Sequence, residues 1–384
     1  MTKSIVFVSG TRADFGKLKS LISITKKSTN FKVYIFATGM HLDSKYGNTV
    51  QELYKSGFDN IYEYPNYNPD EEIHMDRVLA KTIEGFSSFI ETSKPDLVVV
   101  HGDRVETLAC AISASLKNIR VAHIEGGEVS GTIDELIRHA VTKMSHIHLV
   151  SNIHAKNRLI QLGELEKSIS IIGSPDIDLM NIKNLPDLET VKNYYEIFFD
   201  EYAIAMFHPV TTEYDSIVQN VRSFVCALEE SNHNYVLVYP NNDLGSSEII
   251  KEYERLNNNP RFRIFPSLRF EYFLSLLNSS KFIIGNSSAG IREASYFFTP
   301  SVDIGTRQKN RAKLPSIFHT EYKTKSILLA IDLALKYNFS ADGEKYFGSG
   351  NSDKIFLELL ESNIFWDIST QKEFVNINQH KKNY

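Results

Sequence analysis

Short runs of β-branched and aromatic residues recur along the chain, separated by longer stretches compatible with helix. That alternation is the pattern of βαβ units around a parallel sheet. In the first half it predicts strands at Ile5–Ser9, Lys32–Ala37, Leu97–His101, Arg120–Ile124, Ile147–Val150 and Ser170–Ile172. Several are apolar almost throughout, as expected of strands covered by helices on both faces. The stretch Met180–Asp200 then turns polar and irregular, with Pro186 and a Tyr/Phe cluster, and reads as a linker. Beyond it the pattern restarts, with strands at Tyr202–Phe207, Tyr235–Tyr239, Arg263–Phe265, Phe282–Gly285 and Ser301–Ile304. Helices are expected at Ser216–Glu230 and Phe270–Leu277. The predicted organisation is a first α/β lobe over 1–180 and a second over 200–352. A last segment over 353–384, carrying Trp366, would pack back across the lobes. Ligands in such sheets sit outside the carboxyl ends of the strands, so motifs at strand ends carry most weight.

Composition narrows the class. A length of 384 residues suits two domains. The chain is 42% hydrophobic and 23% charged, ordinary for a globular protein. No apolar run approaches the roughly 18 residues that span a bilayer. The start Met1-Thr2-Lys3-Ser4 leads straight into the first strand without the features of a signal peptide. The expectation is therefore a cytoplasmic protein with no membrane partner. Cys110 and Cys226 are too few for a disulfide scaffold or a cysteine metal site. A net charge of −5 offers no whole-molecule attraction to nucleic acid.

Three strand ends in the first half could carry chemistry. Gly10-Thr11-Arg12-Ala13-Asp14-Phe15-Gly16-Lys17 follows the first strand. A glycine turn feeding a helix presents backbone N–H groups to an anion, and Arg12 and Lys17 add positive charge. It is neither the dinucleotide nor the triphosphate fingerprint. His101-Gly102-Asp103-Arg104 places a carboxylate beside an arginine at a second strand end, suited to acid/base work or simply to capping a helix. His123-Ile124-Glu125-Gly126-Gly127-Glu128 ends a third, and Asp134, Glu135 and Arg138 open the next helix. Acids concentrated at one edge are pushed towards different protonation states, which acid/base catalysis exploits.

In the second half, Phe207-His208-Pro209 and Tyr239-Pro240-Asn241 each terminate a strand. His208 could donate to a phosphate oxygen or could sit satisfied in a turn. Gly285-Asn286-Ser287-Ser288-Ala289-Gly290 leads from a strand towards a helix and suits a phosphate cradle. Glu293, one turn into that helix, could accept two ribose hydroxyls. No zinc-protease, EF-hand or nucleophile-elbow spacing occurs, so neither a metal nor another cofactor is called for.

Taken together and in order, these motifs resemble the hydrolysing UDP-N-acetylglucosamine 2-epimerases of the bacterial sialic-acid pathway. The similarity runs from Gly10-Thr11-Arg12 to Gly305-Thr306-Arg307-Gln308. It implies an α/β, GT-B-like fold of two Rossmann-type lobes with an inter-lobe active-site cleft, and a homodimer or higher homo-oligomer. It also implies anti elimination of UDP to a 2-acetamidoglucal, then hydration with inversion at C2, releasing N-acetylmannosamine. The family's three carboxylates align with Asp103, Glu125 and Asp134, and residues around its sugar with His41 and Arg138. For UDP the resemblance indicates Arg12, Arg104, His208, Asn241, Ser287, Ser288, Glu293 and Arg307.

One departure is Ser247, where the animal enzyme of this family has a lysine towards phosphate. The nearest alternative is the same reaction on UDP-2,4-diacetamido-2,4,6-trideoxyglucose, for legionaminic acid. A GT-B glycosyltransferase and a silent nucleotide-sugar sensor are more remote. A sensor has no use for Asp103, Glu125 and Asp134 together.

Overall fold

The computed structural model describes residues 2–68, 74–130, 133–180, 185–240, 244–309, 312, 314–338 and 346–376. The chain forms two compact units. One takes in Met1–Glu128, Ile133–Leu179 and Tyr346–Tyr384, and the other takes in Met180–Lys345 with Val129–Thr132. The chain thus returns to its first unit at Tyr346, earlier than the Asp353 boundary expected from sequence.

In the first unit the strands are β1 (Lys3–Ser9), β2 (Phe31–Thr38), β3 (Ile61–Tyr64), β4 (Leu97–His101), β5 (Arg120–Ile124), β6 (Ile147–Val150) and β7 (Ile169–Ile171). They form one parallel sheet in the order β3-β2-β1-β4-β5-β6-β7. Successive side chains of a strand point to opposite faces. Ile5 and Phe7 accordingly join a core with Leu18, Leu21 and Phe356, while Val6 and Val8 join another with Phe36, Phe86 and Val100. Each such fully buried side chain contributes about 1.5–3 kcal/mol. The helix Ser352–Glu361 completes the first of these cores. Its Phe356 ring meets Phe7 edge-on at 6.1 Å. Asp178 caps that helix, accepting from the backbone N–H groups of Ser352 (2.8 Å) and Asp353 (2.9 Å).

In the second unit the strands are β8 (Ala203–Met206), β9 (Tyr235–Val238), β10 (Phe262–Phe265), β11 (Ile283–Gly285), β12 (Ser301–Ile304) and β13 (Ile317–Thr320). They are again parallel, in the order β10-β9-β8-β11-β12-β13. The polar stretch read as a linker contains a helix, Leu188–Tyr195, started by Asp187 accepting from Thr190 N–H at 3.1 Å. Tyr194 and Tyr195 pack edge-on against Tyr272, at 5.3 and 5.9 Å, which explains the aromatic cluster there.

Both sheets are doubly wound. In each, the strand order reverses beside the unit's first strand, between β1 and β4 and between β8 and β11. Loops leaving the carboxyl ends of such a pair diverge and open a crevice.

Candidate active site

The loops after β1 and β4 bring the first charged groups together. Beyond Ser9 the chain turns at Gly10 into the helix Arg12–Lys27, where the Thr11 hydroxyl accepts from Asp14 N–H at 3.1 Å. The Asp14 carboxylate turns back to accept from Gly10 N–H at 3.3 Å. Across the reversal, β4 ends at His101, and Asp103 follows with a partly exposed side chain. The Asp103 carboxylate accepts from the guanidinium of Arg138, a residue buried in the helix Ile133–Met144. Arg138 also donates to the Glu128 carbonyl at 3.2 Å, so the guanidinium that aims Asp103 is itself anchored to the loop after β5. Asp134 lies in the first turn of the same helix, partly exposed.

Glu125 sits where β5 ends, with a left-handed φ of 63°. That conformation costs a non-glycine residue about 1–2 kcal/mol. It is held by its own N–H, which donates to Leu149 at 2.9 Å, and by a ring of donors around the buried carboxylate. These are His101 Nε2 at 3.1 Å, Lys17 Nζ at 3.4 and 3.5 Å, and the Ser174 hydroxyl. Lys17 in turn pairs with Asp176 at 2.9 Å. Gly127 lets this loop pass under its neighbour, since a Cβ there would lie 2.4 Å from the Ala155 carbonyl oxygen.

The acid cluster expected at this edge divides. Glu128 is buried and accepts from the Ser151 hydroxyl, and Glu135 lies 3.4 Å from His139 one helical turn on. Glu128 thus has structural employment, whereas Asp103 and Asp134, like Glu135, keep some exposure.

His41, aligned with a sugar-side residue, has no exposed surface. Its ring lies between the Ser9 and Thr49 hydroxyls, 2.8 Å from each, and burial holds its pKa down at about 4. A neutral imidazole here braces the loop after β1 from below, and in this structure it is not open to a ligand. Arg12 pairs with Glu52 at 2.9 Å, both about one-third exposed. Arg104 leans on the buried Glu106 at 3.4 Å, its own side chain 40% exposed.

The second unit answers with amides and hydroxyls. Gly285 closes β11 against β8, where a Cβ would lie 1.8 Å from the Met206 carbonyl oxygen. The buried Asn286 side chain then clasps the loop after β8: it accepts from His208 N–H at 2.6 Å and donates to the His208 carbonyl at 2.8 Å. Arg307 and Gln308 both donate to the Asn286 carbonyl, at 3.1 and 3.0 Å. Ser287 and Ser288 follow, each partly exposed. The helix expected after the serines, with Glu293 one turn into it, is instead a 3-10 turn, Ser288–Gly290, and a short helix, Glu293–Tyr296. Glu293 therefore opens its helix, largely buried. Asn241, with Asn242 and Asp243, lies outside the described residues, as do Gly131 and Thr132.

Residues that strand-end reasoning did not single out are Asp14, His101, Ser174 and Asp176. Gly173-Ser174-Pro175-Asp176 leaves β7 as the other motifs leave their strands, so the same signal was available. Among the described residues no group of three or more His, Cys, Asp or Glu is arranged to hold a metal ion. No helix among them is long and apolar enough to cross a membrane.

A family model for UDP-N-acetylglucosamine 2-epimerase matches residues 23–361. The chain belongs to this family of enzymes. It is 45% identical to a UDP-N-acetylglucosamine 2-epimerase of Neisseria meningitidis serogroup B, over 98% of this chain and all of that one. It is 33% identical to a UDP-N,N'-diacetylbacillosamine 2-epimerase (hydrolyzing) of Legionella pneumophila, over 94% of this chain and 96% of the relative. The fold matches a crystal structure of UDP-GlcNAc 2-epimerase from Neisseria meningitidis, with a TM-score of 0.82 and 19% identity, over 94% of this chain and 100% of that one. Epimerases of this family share the GT-B-like pair of doubly wound sheets seen here.

Proposed function

We propose that this epimerase is of the hydrolysing kind, converting UDP-N-acetylglucosamine and water to N-acetylmannosamine and UDP for sialic-acid synthesis. The route is anti elimination of UDP, with loss of the C2 proton, to 2-acetamidoglucal, followed by hydration with inversion at C2. The observation that carries it is the graded set of acids in the first unit. Asp103 is directed by Arg138 yet partly exposed, Glu125 is buried among donors, and Asp134 opens the next helix. Abstracting a weakly acidic C–H proton needs an oriented base, worth typically 10²–10⁴-fold.

Arg138 would serve the sugar side by aiming Asp103. For the nucleotide, His208, Ser287, Ser288 and Arg307 would meet the diphosphate, with Arg12 and Arg104, and Glu293 the ribose hydroxyls. Asn241 belongs to the same proposed set. Arginines and oriented N–H groups stabilise the charge that develops on the departing phosphate. The full-length 45% identity to an enzyme named for UDP-N-acetylglucosamine favours that substrate.

A second reading rests on relatives named for N,N'-diacetylbacillosamine, 33% and 35% identical. Here the substrate would be UDP-2,4-diacetamido-2,4,6-trideoxyglucose. Incubation of purified protein with each UDP-sugar in D₂O decides. N-acetylmannosamine carrying one deuterium at C2 is expected, and product without deuterium would refute elimination and hydration. Turnover of the diacetamido sugar alone would transfer the proposal to that substrate. Return of UDP-N-acetylmannosamine would refute hydrolysis.

A further inference from the structure

We propose that His101, held between the carboxylates of Asp14 and Glu125, is a positioning residue that keeps Glu125 an aimed anion and ties it to the loop after β1. The inference rests on the role just proposed for Glu125. Its ground is geometric. His101 Nδ1 lies 3.4 Å from Asp14 Oδ1, and Nε2 lies 3.1 Å from Glu125 Oε2. All three side chains are nearly buried, with 9%, 11% and 6% exposure. A neutral imidazole has one N–H, whereas these two carboxylates together call for two. The doubly protonated ring is the form that satisfies both.

The remaining charged and titratable neighbours divide in sign. Lys17 faces Glu125 from the helix Arg12–Lys27 and opposes a proton on His101. His123, on the adjacent strand, is held neutral by burial, its pKa down at about 3. Arg104, from the loop after β4, lowers the pKa of Asp14 by its charge, and His41, from the loop after β2, does so when its ring is protonated. Burial pushes the His101 pKa down, but Glu125 and Asp14 more than offset it and leave it raised. Asp14 is likewise drawn below the usual carboxylate range, because burial, the largest single influence, is outweighed by its hydrogen bond to His101 together with the charges of His101 and Arg104.

The arrangement has a direction. Asp14 supports the imidazolium, and the imidazolium supports the Glu125 carboxylate. Asp14 also accepts from Gly10 N–H, so the loop after β1 and the acid after β5 share one buried chain of hydrogen bonds. Lys17 alone cannot replace His101, because its Nζ is shared with Asp176 at the shorter distance of 2.9 Å.

Steady-state kinetics as a function of pH test this, using the full chain with His101→Gln and with Asp14→Asn. Taking the imidazolium away makes the neighbouring carboxylate easier to protonate. The acidic limb of kcat/KM should then move to higher pH by about one unit or more in either variant. At the wild-type optimum kcat should fall by roughly 10–100-fold with KM changed less than about threefold. The double variant should be little worse than the worse single one, because both act through one chain. A folded variant whose acidic limb stays in place overturns the inference, whatever its kcat. Should His101→Gln fail to fold, Asp14→Asn alone decides, since it leaves the ring in place and removes only its support. Wild-type protein inactive on both UDP-sugars would refute the proposed function instead, so the two failures are distinguishable.

Discussion

Where strand order reverses in the first unit, β1 and β4 deliver Asp14, His101 and Asp103, and β5 adds Glu125. At the matching reversal in the second unit, β8 and β11 deliver His208, Asn286 and two serines. The backbones are alike there, two diverging loops beyond parallel strands, but the chemistry is not. The first crevice is crowded with carboxylates that arginine, histidine and lysine hold in place. The second is organised by one neutral amide that holds the backbone of His208. Moving protons needs groups that change charge, which is costly to arrange in a buried site. Grasping a nucleotide needs donors that stay as they are. Under the proposed function one architecture hosts both tasks, and the side chains at two strand ends decide which.

The comparison can be broken by substitution. Asp103→Asn, Glu125→Gln and Asp134→Asn should each lower turnover by roughly two to four orders of magnitude. UDP affinity, measured by calorimetry, should stay near wild type. A matching loss of UDP affinity would erase the proposed division between the units.

Acid should separate the units next. His41 and His123 are buried with pKa values at about 4 and 3, so below about pH 6.5 the unfolded chain binds protons that the folded first unit refuses. Stability rises with pH in that window, and is lost as pH falls from about 6.5 towards 4, by on the order of a few kcal/mol. In the second unit burial lowers the pKa of His233, opposing the effect of His319, whose pKa a hydrogen bond to Asp303 raises. The His319 contribution is fully present in acid and fades only as pH rises through the raised value. Hydrogen exchange read by peptide should show the first unit opening before the second as pH drops. Simultaneous opening would contradict this.

Smaller effects sharpen the contrast. Glu293→Ala should weaken UDP binding by about tenfold, near 1.4 kcal/mol, with kcat at saturation little changed. Unchanged affinity in a folded variant would remove Glu293 from the nucleotide site. Smallest is Glu52→Gln, which frees Arg12 from a pair exposed by one-third on each side. Urea denaturation should register less than about 1 kcal/mol. A larger loss would mean that the pair holds the fold rather than the site.

The interior of each sheet was legible in advance. Leu97–His101, Arg120–Ile124, Ile147–Val150 and Ser301–Ile304 have the bounds their sequence runs predict, because all four are buried almost throughout, with the polar His123, His148 and Asp303 buried among apolar neighbours. The edge strands β3 and β13, Ile-Tyr-Glu-Tyr and Ile-Phe-His-Thr, escaped because each mixes polar with apolar positions. The Leu188–Tyr195 helix escaped because its weak apolar stripe is supported by aromatic contacts distant in sequence. Of the proposed site, place and charge marked Asp103, Glu125, Glu128, Asp134 and Glu135, and only the family resemblance reduced them to Asp103, Glu125 and Asp134. His101 was not marked, because its meaning lies in partners 87 and 24 residues away, a relation no local pattern records.

The return of the chain at Tyr346 also orders events in time. Synthesis runs from the N-terminus, and the stretch Met180–Lys345 holds all of β8 to β13 in one continuous run. That unit has nearly everything it needs as soon as Lys345 has cleared the ribosome. The first unit, though its strands are made earlier, keeps Phe7, Leu18 and Leu21 without their Phe356 and Leu360 neighbours until the helix Ser352–Glu361 emerges. Nascent protein would therefore pass through an interval with the second unit folded and the first unsealed, its apolar face open to chaperones. Chains stalled between Lys345 and Ser352 should be captured in that state.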